Sequence, residues 1–370
     1  MLLCLVVLLQ AQVPAVTLTR PEQVLAEPFS QVAGARELAD GRLILTDRLE
    51  DRVVVADLAT GRLVPIGRAG AGPEEFRRPG KLVPINGDSI LLADEGNERL
   101  LVIGPDLRIH RTFRLEVPGV ATDLWPRGVD GQGRYYVTVP RWAAMGGPYA
   151  GHGDSLPVLR SAGSGTRPEI VTWVVTLADP PGRVRYGMPY IPFSPQDGWT
   201  VTSAGEVVVV RAGDYHVERF GAGGVRRGTP VPFRPLPVTT ADKRAYTKEF
   251  MENSGVGGKG TNGGSAISNT PADWLTDESI DRLVATNLYA TTKPPITDRA
   301  PILAPDGTLW VERSGALGAP ATYDLFDASG KVIRRVTLPA GRRLLLVGRT
   351  ALFLVAADED GVERVERYRL

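Results

Sequence analysis

A glycine that opens a short apolar strand recurs along this chain: Gly41 in DGRLILTD, Gly87 in GDSILLAD, Gly133 in QGRYYVTV, Gly205 in AGEVVVVR and Gly307 in DGTLWVER, with a glycine-free copy, RTALFLVA, near Thr350. The spacing is equal at first, from 41 to 87 and from 87 to 133, and stretched later, from 133 to 205 and from 205 to 307. The second copy is the clearest. A Gly-rich turn and Pro79 lead into Lys81 to Ile85, Asn86-Gly87 turns the chain, and Ser89 to Ala93 returns. A polar bend at Asp94 to Glu98 then precedes Arg99 to Ile103 and Ile109 to Leu115. This reads as four short antiparallel strands.

A single four-stranded sheet leaves both faces open, whereas a ring of such sheets buries each against its neighbours. Six copies therefore predict an all-β fold, a six-bladed β-propeller. The last unit offers only three strands, Arg342 to Val347, Leu352 to Ala356 and Val362 to Arg369. A strand between Val16 and Ala26 would complete that blade and close the ring, removing open edges that template aggregation. The stretched spacing is explained by insertions: 142–154 between the second and third strands of the third unit, and 234–298 in the crossover from the fourth unit to the fifth. A milder extension, 178–194, precedes the fourth unit. In a propeller these connections share one face. The long insertion carries its own helix signals, a cap at Thr239 with Asp242 three residues on and a second start at Thr276, which predicts a small helical insertion between blades 4 and 5.

The GRAGAGPEEFRRP run, the GDSILLAD hairpin and the EGNERLLVI turn resemble an NHL-type repeat. The chain as a whole resembles the secreted bacterial six-bladed β-propeller proteins with NHL-like repeats. The likeness is close in the second unit, fair in the first and fourth, and weak in the third and sixth. It implies fold and export and brings no agreed catalytic residues.

Met1 to Leu9 is almost wholly apolar, about half the ~20 residues of a membrane span. With small residues at Val13-Pro14-Ala15 it reads as a signal peptide, 1–15, cleaved near Ala15, leaving 16–370 as one propeller in the periplasm or outside the cell. The single cysteine, Cys4, lies in that leader, so the mature chain has no thiol for disulfides, zinc or nucleophilic catalysis. Lys and Arg total 43 against 42 Asp and Glu, and no basic run is interleaved with aromatics, which argues against a nucleic-acid partner. A monomer with no membrane span in the mature chain is expected.

Arg78, Arg127, Arg299 and Arg342 fall near inner-strand starts, with Asp197 the one clear carboxylate in that position. If they face the channel mouth they form a mostly cationic ring, suited to an anionic small molecule or a peptide C-terminus. The competing reading pairs the arginines with Glu74, Glu75 and Glu116. Trp142, Tyr149, Tyr186, Tyr190 and Phe193 on the insertion face either line a groove or anchor the loops. Trp125, Trp173, Trp199 and Trp310 read as packing between blades.

Three known chemistries can be weighed against these residues. Peptide-amidating lyases of NHL type hold zinc on three axial histidines, but His110 and His216 fall in outer strands and His152 in a loop. Calcium-dependent lactonases gather carboxylates at the mouth; here the acidic turns Asp47 to Asp51 and Asp94 to Glu98 read first as bend caps. Gly258-Lys259 lacks the Ser or Thr that a phosphate-binding loop needs after its lysine. No cofactor is expected, with calcium the ion a mouth site would take. The sequence therefore favours an exported, non-enzymatic binding propeller whose ligand (peptide, glycan or protein partner) lies on the insertion face. The alternative is a lactonase-like hydrolase or lyase acting at the channel mouth.

Overall fold

The computed structural model describes residues 13–85, 88–120, 122, 124–140, 149, 154–176, 190–253 and 276–369. It is a six-bladed propeller. From inner to outer strand, blade 1 is Val32–Glu37, Leu43–Asp47, Arg52–Ala56 and Leu63–Pro65. Blade 2 is Pro79–Pro84, Ile90–Asp94, Arg99–Ile103 and Ile109–Phe113. Blade 3 is Gly128–Val129, Tyr135–Thr138, Ser155–Ser161 and Glu169–Val175. Blade 4 is Gly198–Val201, Val207–Arg211, His216–Gly221 and Gly224–Arg227. Blade 5 is Ile302–Leu303, Leu309–Glu312, Thr322–Phe326 and Val332–Thr337. Blade 6 is Arg342–Val347, Ala351–Ala357 and Glu363–Arg369, completed from the N-terminal side by Gln23–Val24.

The strand that closes the ring is thus shorter than the sequence suggests, because the same region serves two blades. Gln23–Val24 pairs antiparallel with Glu363–Arg369, while Ala15–Thr17 adds a fifth, parallel strand to blade 5. Cleavage near Ala15 would leave Val16 and Thr17 of that strand. Residues 1–12 of the expected leader lie outside the described residues. Each inner strand contacts the next around the ring, and Arg342–Val347 contacts Val32–Glu37.

Period-two alternation supplies the core. Leu43 and Leu45 face blade 6, joining Phe353, Val355 and Val365, while Ile44 faces blade 2 with Ile90, Leu92 and Leu101. Six apolar clusters result, one in each seam between neighbouring blades. Carboxylates tie the strand ends. Asp47, at the end of the second strand of blade 1, accepts from the Ser30 and Gln31 N–H groups at 2.9 and 3.1 Å. Asp94 does the same in blade 2 for Arg77 N (2.7 Å) and also takes Arg99 Nε. Both side chains are buried. The acidic turns are thus caps for main-chain donors that would otherwise go unpaired.

At Gly34 the inner strands of blades 1 and 2 approach closely, and a Cβ there would lie 2.8 Å from Gly80 O and 3.0 Å from Leu82 N. Both obstacles are main chain. Gly34→Val is therefore expected to destabilise by roughly 1–3 kcal/mol. Urea unfolding checks this; a shift below about 0.5 kcal/mol would show that the strands can part freely.

The insertion before blade 5 contains α1, Thr240–Asn253, and α2, Asp277–Thr286. Thr239 Oγ1 accepts from Asp242 N, and Asp242 returns a carboxylate to Thr239 N. Thr276 caps α2 in the same way through Ser279. Arg244 on α1 pairs with Asp277 and Asp281 on α2. The buried Lys293 ammonium binds Asp242 Oδ1 at 2.6 Å and Gly315 O at 2.8 Å, fastening α1 to the turn between the second and third strands of blade 5.

Candidate functional site at the channel mouth

The inner strand of blade 2 carries a bulge. Leu92 pairs with Leu82 but Asp94 with Pro79, so Gly80 and Lys81 together stand opposite Ala93. A bulge of this kind re-aims a side chain, and here Lys81 lines a pocket of about 170 Å³ with Glu95, Trp125, Pro126, Arg127, Thr138 and Trp199. That volume exceeds the roughly 30 Å³ share of one water and falls below the ~300 Å³ at which drug-sized sites begin. It suits a small molecule of a few heavy atoms.

Arg127 crosses from the start of blade 3 to blade 4, where Nη1 donates to Trp199 O at 3.3 Å and the guanidinium lies 4.9 Å from the Trp199 ring centroid. Lys81 and Arg127 are both exposed to solvent at the pocket, although many protein atoms stand around them. Desolvation lowers the pKa of each; for Lys81 the Arg127 charge adds to the shift and Glu95 partly opposes it. Neither forms an ion pair among the described residues. Beside them, Arg48 pairs with Glu95 but leaves its buried Nε without an acceptor among the described residues. Arg78, held at φ 48°, donates its main-chain N–H to Asp51 at 2.5 Å, and its buried Nη2 likewise has no partner among the described residues. Three guanidinium groups and an ammonium thus share this sector with Glu95 and Asp51, an excess of positive charge in a concave, protein-walled space that concentrates its field.

The expected ring is therefore a sector. Arg78 and Arg127 belong to it. Arg342 is bound by both oxygens of the buried Glu366, at 3.1 and 3.2 Å, and Arg299 lies 3.4 Å from Glu312 with 55% of its side chain exposed. These partners are carboxylates on the blades, not Glu74, Glu75 or Glu116. Asp197 requires correction as a mouth carboxylate. Its side chain is 3% exposed, and its oxygens accept from Val175 N, Ala212 N and Arg211 Nη1 at 3.0, 3.0 and 2.8 Å. It ties blade 4 as Asp47 and Asp94 tie blades 1 and 2, but from the opposite strand.

The aromatics divide as well. Tyr149 is buried in the seam between blades 2 and 3, among Leu91, Leu124 and Leu156, so it packs and does not line a groove. The Tyr246 hydroxyl donates to Tyr190 Oη at 3.3 Å, Tyr190 meets the Phe250 ring edge-on and Phe193 lies 5.2 Å from Tyr246, fastening the 3-to-4 crossover to α1. Trp142 and Tyr186 lie outside the described residues. Trp199 and Trp310 are buried as expected for packing, whereas Trp125 is 38% exposed on the pocket wall, outside any strand. Sequence reasoning missed Lys81, Glu95 and Arg48. The bulge and the local excess of positive charge that single them out arise only when the blades are assembled.

His110 lies 2.7 Å from Asp106, and the buried His216 lies 2.5 Å from Asp214 and 3.2 Å from Glu218. Both stand on the outer half of their blades. His152 is outside the described residues. Calcium does not fit the acidic turns, where Asp47 and Asp94 are buried and committed to main-chain and arginine donors. Among the described residues no cluster of three or more His, Cys, Asp or Glu side chains is arranged to hold a metal.

No family model and no curated protein matches the chain. Solved structures do resemble it. They include a gluconolactonase from Xanthomonas campestris, with 12% identity over 97% of this chain and 96% of that one and a TM-score of 0.46. A calcium-binding regucalcin from Agrobacterium tumefaciens has 13% identity over 96% and 95%, with a TM-score of 0.42. A virginiamycin B lyase from Staphylococcus aureus has 11% identity over 94% and 87%, with a TM-score of 0.37. At these values the likeness concerns the fold and carries no argument about activity.

Proposed function

We propose that this protein is an extracytoplasmic, monomeric, NHL-like propeller that binds a small anionic ligand at the channel mouth without turning it over. The observation that carries the reading is the pocket that Lys81 and Arg127, neither in an ion pair among the described residues, line together with Trp125 and Trp199. Guanidinium and ammonium groups held in a partly desolvated site favour a carboxylate or phosphate. The alternative is a hydrolase or lyase, the kind of protein that two structural neighbours are named as, gluconolactonase and virginiamycin B lyase. The basic pocket, with Asp197 committed elsewhere, leans towards binding.

Titration calorimetry of the full chain with oxalate tests this. Oxalate should bind, more weakly as salt rises, and Arg127→Ala should lose roughly 10- to 100-fold in affinity, the range for a charge-assisted hydrogen bond. Affinity should also fall as pH rises through the lowered Lys81 pKa, because the ammonium that attracts the anion is lost. An Arg127→Ala variant that binds as the parent does would overturn the reading. Calcium-dependent hydrolysis of δ-gluconolactone, abolished by a chelator, would put the hydrolase alternative in its place.

A further inference from the structure

Only six of the 43 basic Lys and Arg residues are lysines, at 81, 243, 248, 259, 293 and 331. Elsewhere the channel-mouth cations are arginines, whose guanidinium does not give up its proton under ordinary conditions. Lys293 is engaged by Asp242 and Gly315, and Lys243 lies 5.3 Å from the Tyr289 ring centroid. Lys81 differs in position: a bulge turns it into a small pocket whose walls are Trp125, Trp199, Val83 and Leu100 and whose other polar groups are Arg127, Glu95 and Thr138. An amine next to a guanidinium in an aromatic-walled site is the arrangement that activates a lysine as a nucleophile.

We propose that Lys81 captures small 2-oxo acids, of the size of pyruvate or glyoxylate, as a reversible imine, with Arg127 holding the carboxylate of the ligand. This rests on the anion-binding reading and names the ligand class. The neutral Nζ adds to the carbonyl carbon, and the carbonyl π pair moves to oxygen, which takes a proton. Loss of that oxygen as water, carrying the two amine protons, leaves the C=N bond. One water is released per imine, and no oxidant or reductant is consumed. Glu95 is the pocket carboxylate that can relay the protons. The same surroundings that lower the Lys81 pKa supply the neutral amine below the ordinary lysine range near ~10.4.

The full chain, incubated with pyruvate and sodium cyanoborohydride and then mapped by mass spectrometry, should carry an N-(1-carboxyethyl) group on Lys81. Labelling there should exceed that on Lys331 by at least ~10-fold, the advantage of a held over a free carbonyl. Oxalate should block it, and its rate should rise with pH at values below those of the other lysines. If oxalate binds but Lys81 labels no faster than Lys331, or if oxalate fails to block labelling, Lys81 is a counter-charge and the imine is wrong while the anion site stands. If oxalate does not bind and Lys81 is not labelled, both readings fall.

Discussion

Trp310→Ala is expected to cost about 3–5 kcal/mol of folding stability, among the largest effects of any single truncation in this chain. The side chain is 1% exposed on the second strand of blade 5. It packs in the seam with Leu344, Leu352, Leu354 and Tyr368 of blade 6, its ring 6.1 Å from that of Tyr323. Its indole N–H donates to Thr308 Oγ1 at 3.2 Å. Rigid sheets on both sides limit collapse, so most of the vacated volume would persist as a cavity. Urea unfolding followed by far-UV circular dichroism measures the loss. A change below about 1 kcal/mol would mean that blades 5 and 6 close over the gap.

Asp324→Ala should be nearly as damaging, about 3 kcal/mol, at the lower end of the cost of removing one partner from a buried ion pair. The carboxylate is fully buried and accepts from Tyr215 Oη at 2.7 Å, Arg313 Nη1 at 2.6 Å and Arg335 Nε at 2.8 Å. It joins the blade 4 turn to Arg313, just past the second strand of blade 5, and to Arg335 within the fourth. Burial and the Asp324 charge push the Tyr215 phenol far above its usual range, so it stays a donor and would be left unpaired. Arg335 is partly exposed and can turn to water, which keeps the cost at the lower end. Asp324→Asn retains an acceptor and should lose less. A loss for Asp324→Ala below about 0.5 kcal/mol would show that the network contributes no stability, and equal losses in the two variants would show that its worth lies in the carboxylate charge.

Architecture was legible because it rests on local alternation. In DGRLILTD and GDSILLAD every second apolar residue belongs to one seam, and the turn residues fix where each strand ends, so the repeated unit follows from the chain alone. The same holds for the helix caps at Thr239 and Thr276, which are contacts within four residues. The site was legible only in part. Placement at an inner-strand start picked out Arg78 and Arg127, which stand in the basic sector, but it picked out Arg342 and Asp197 by the same rule. Whether a side chain at that position faces the channel or a neighbouring strand depends on partners far away in sequence, Glu366 for Arg342 and Val175 N for Asp197.

From its sequence alone this chain is an all-β ring of repeated four-stranded units with a helical insertion, because short-range periodicity and turn chemistry act within each unit. The tertiary structure decided which N-terminal residues close which blade, and that Asp197 and Tyr149 serve packing and hydrogen bonding. It also decided that Arg48, Arg78 and Arg127 gather in one sector around Lys81. Those outcomes depend on a one-residue bulge opposite Ala93 and on charges brought together from blades 1, 2 and 3, and charge interactions are set by distance in space, which the order of residues does not record.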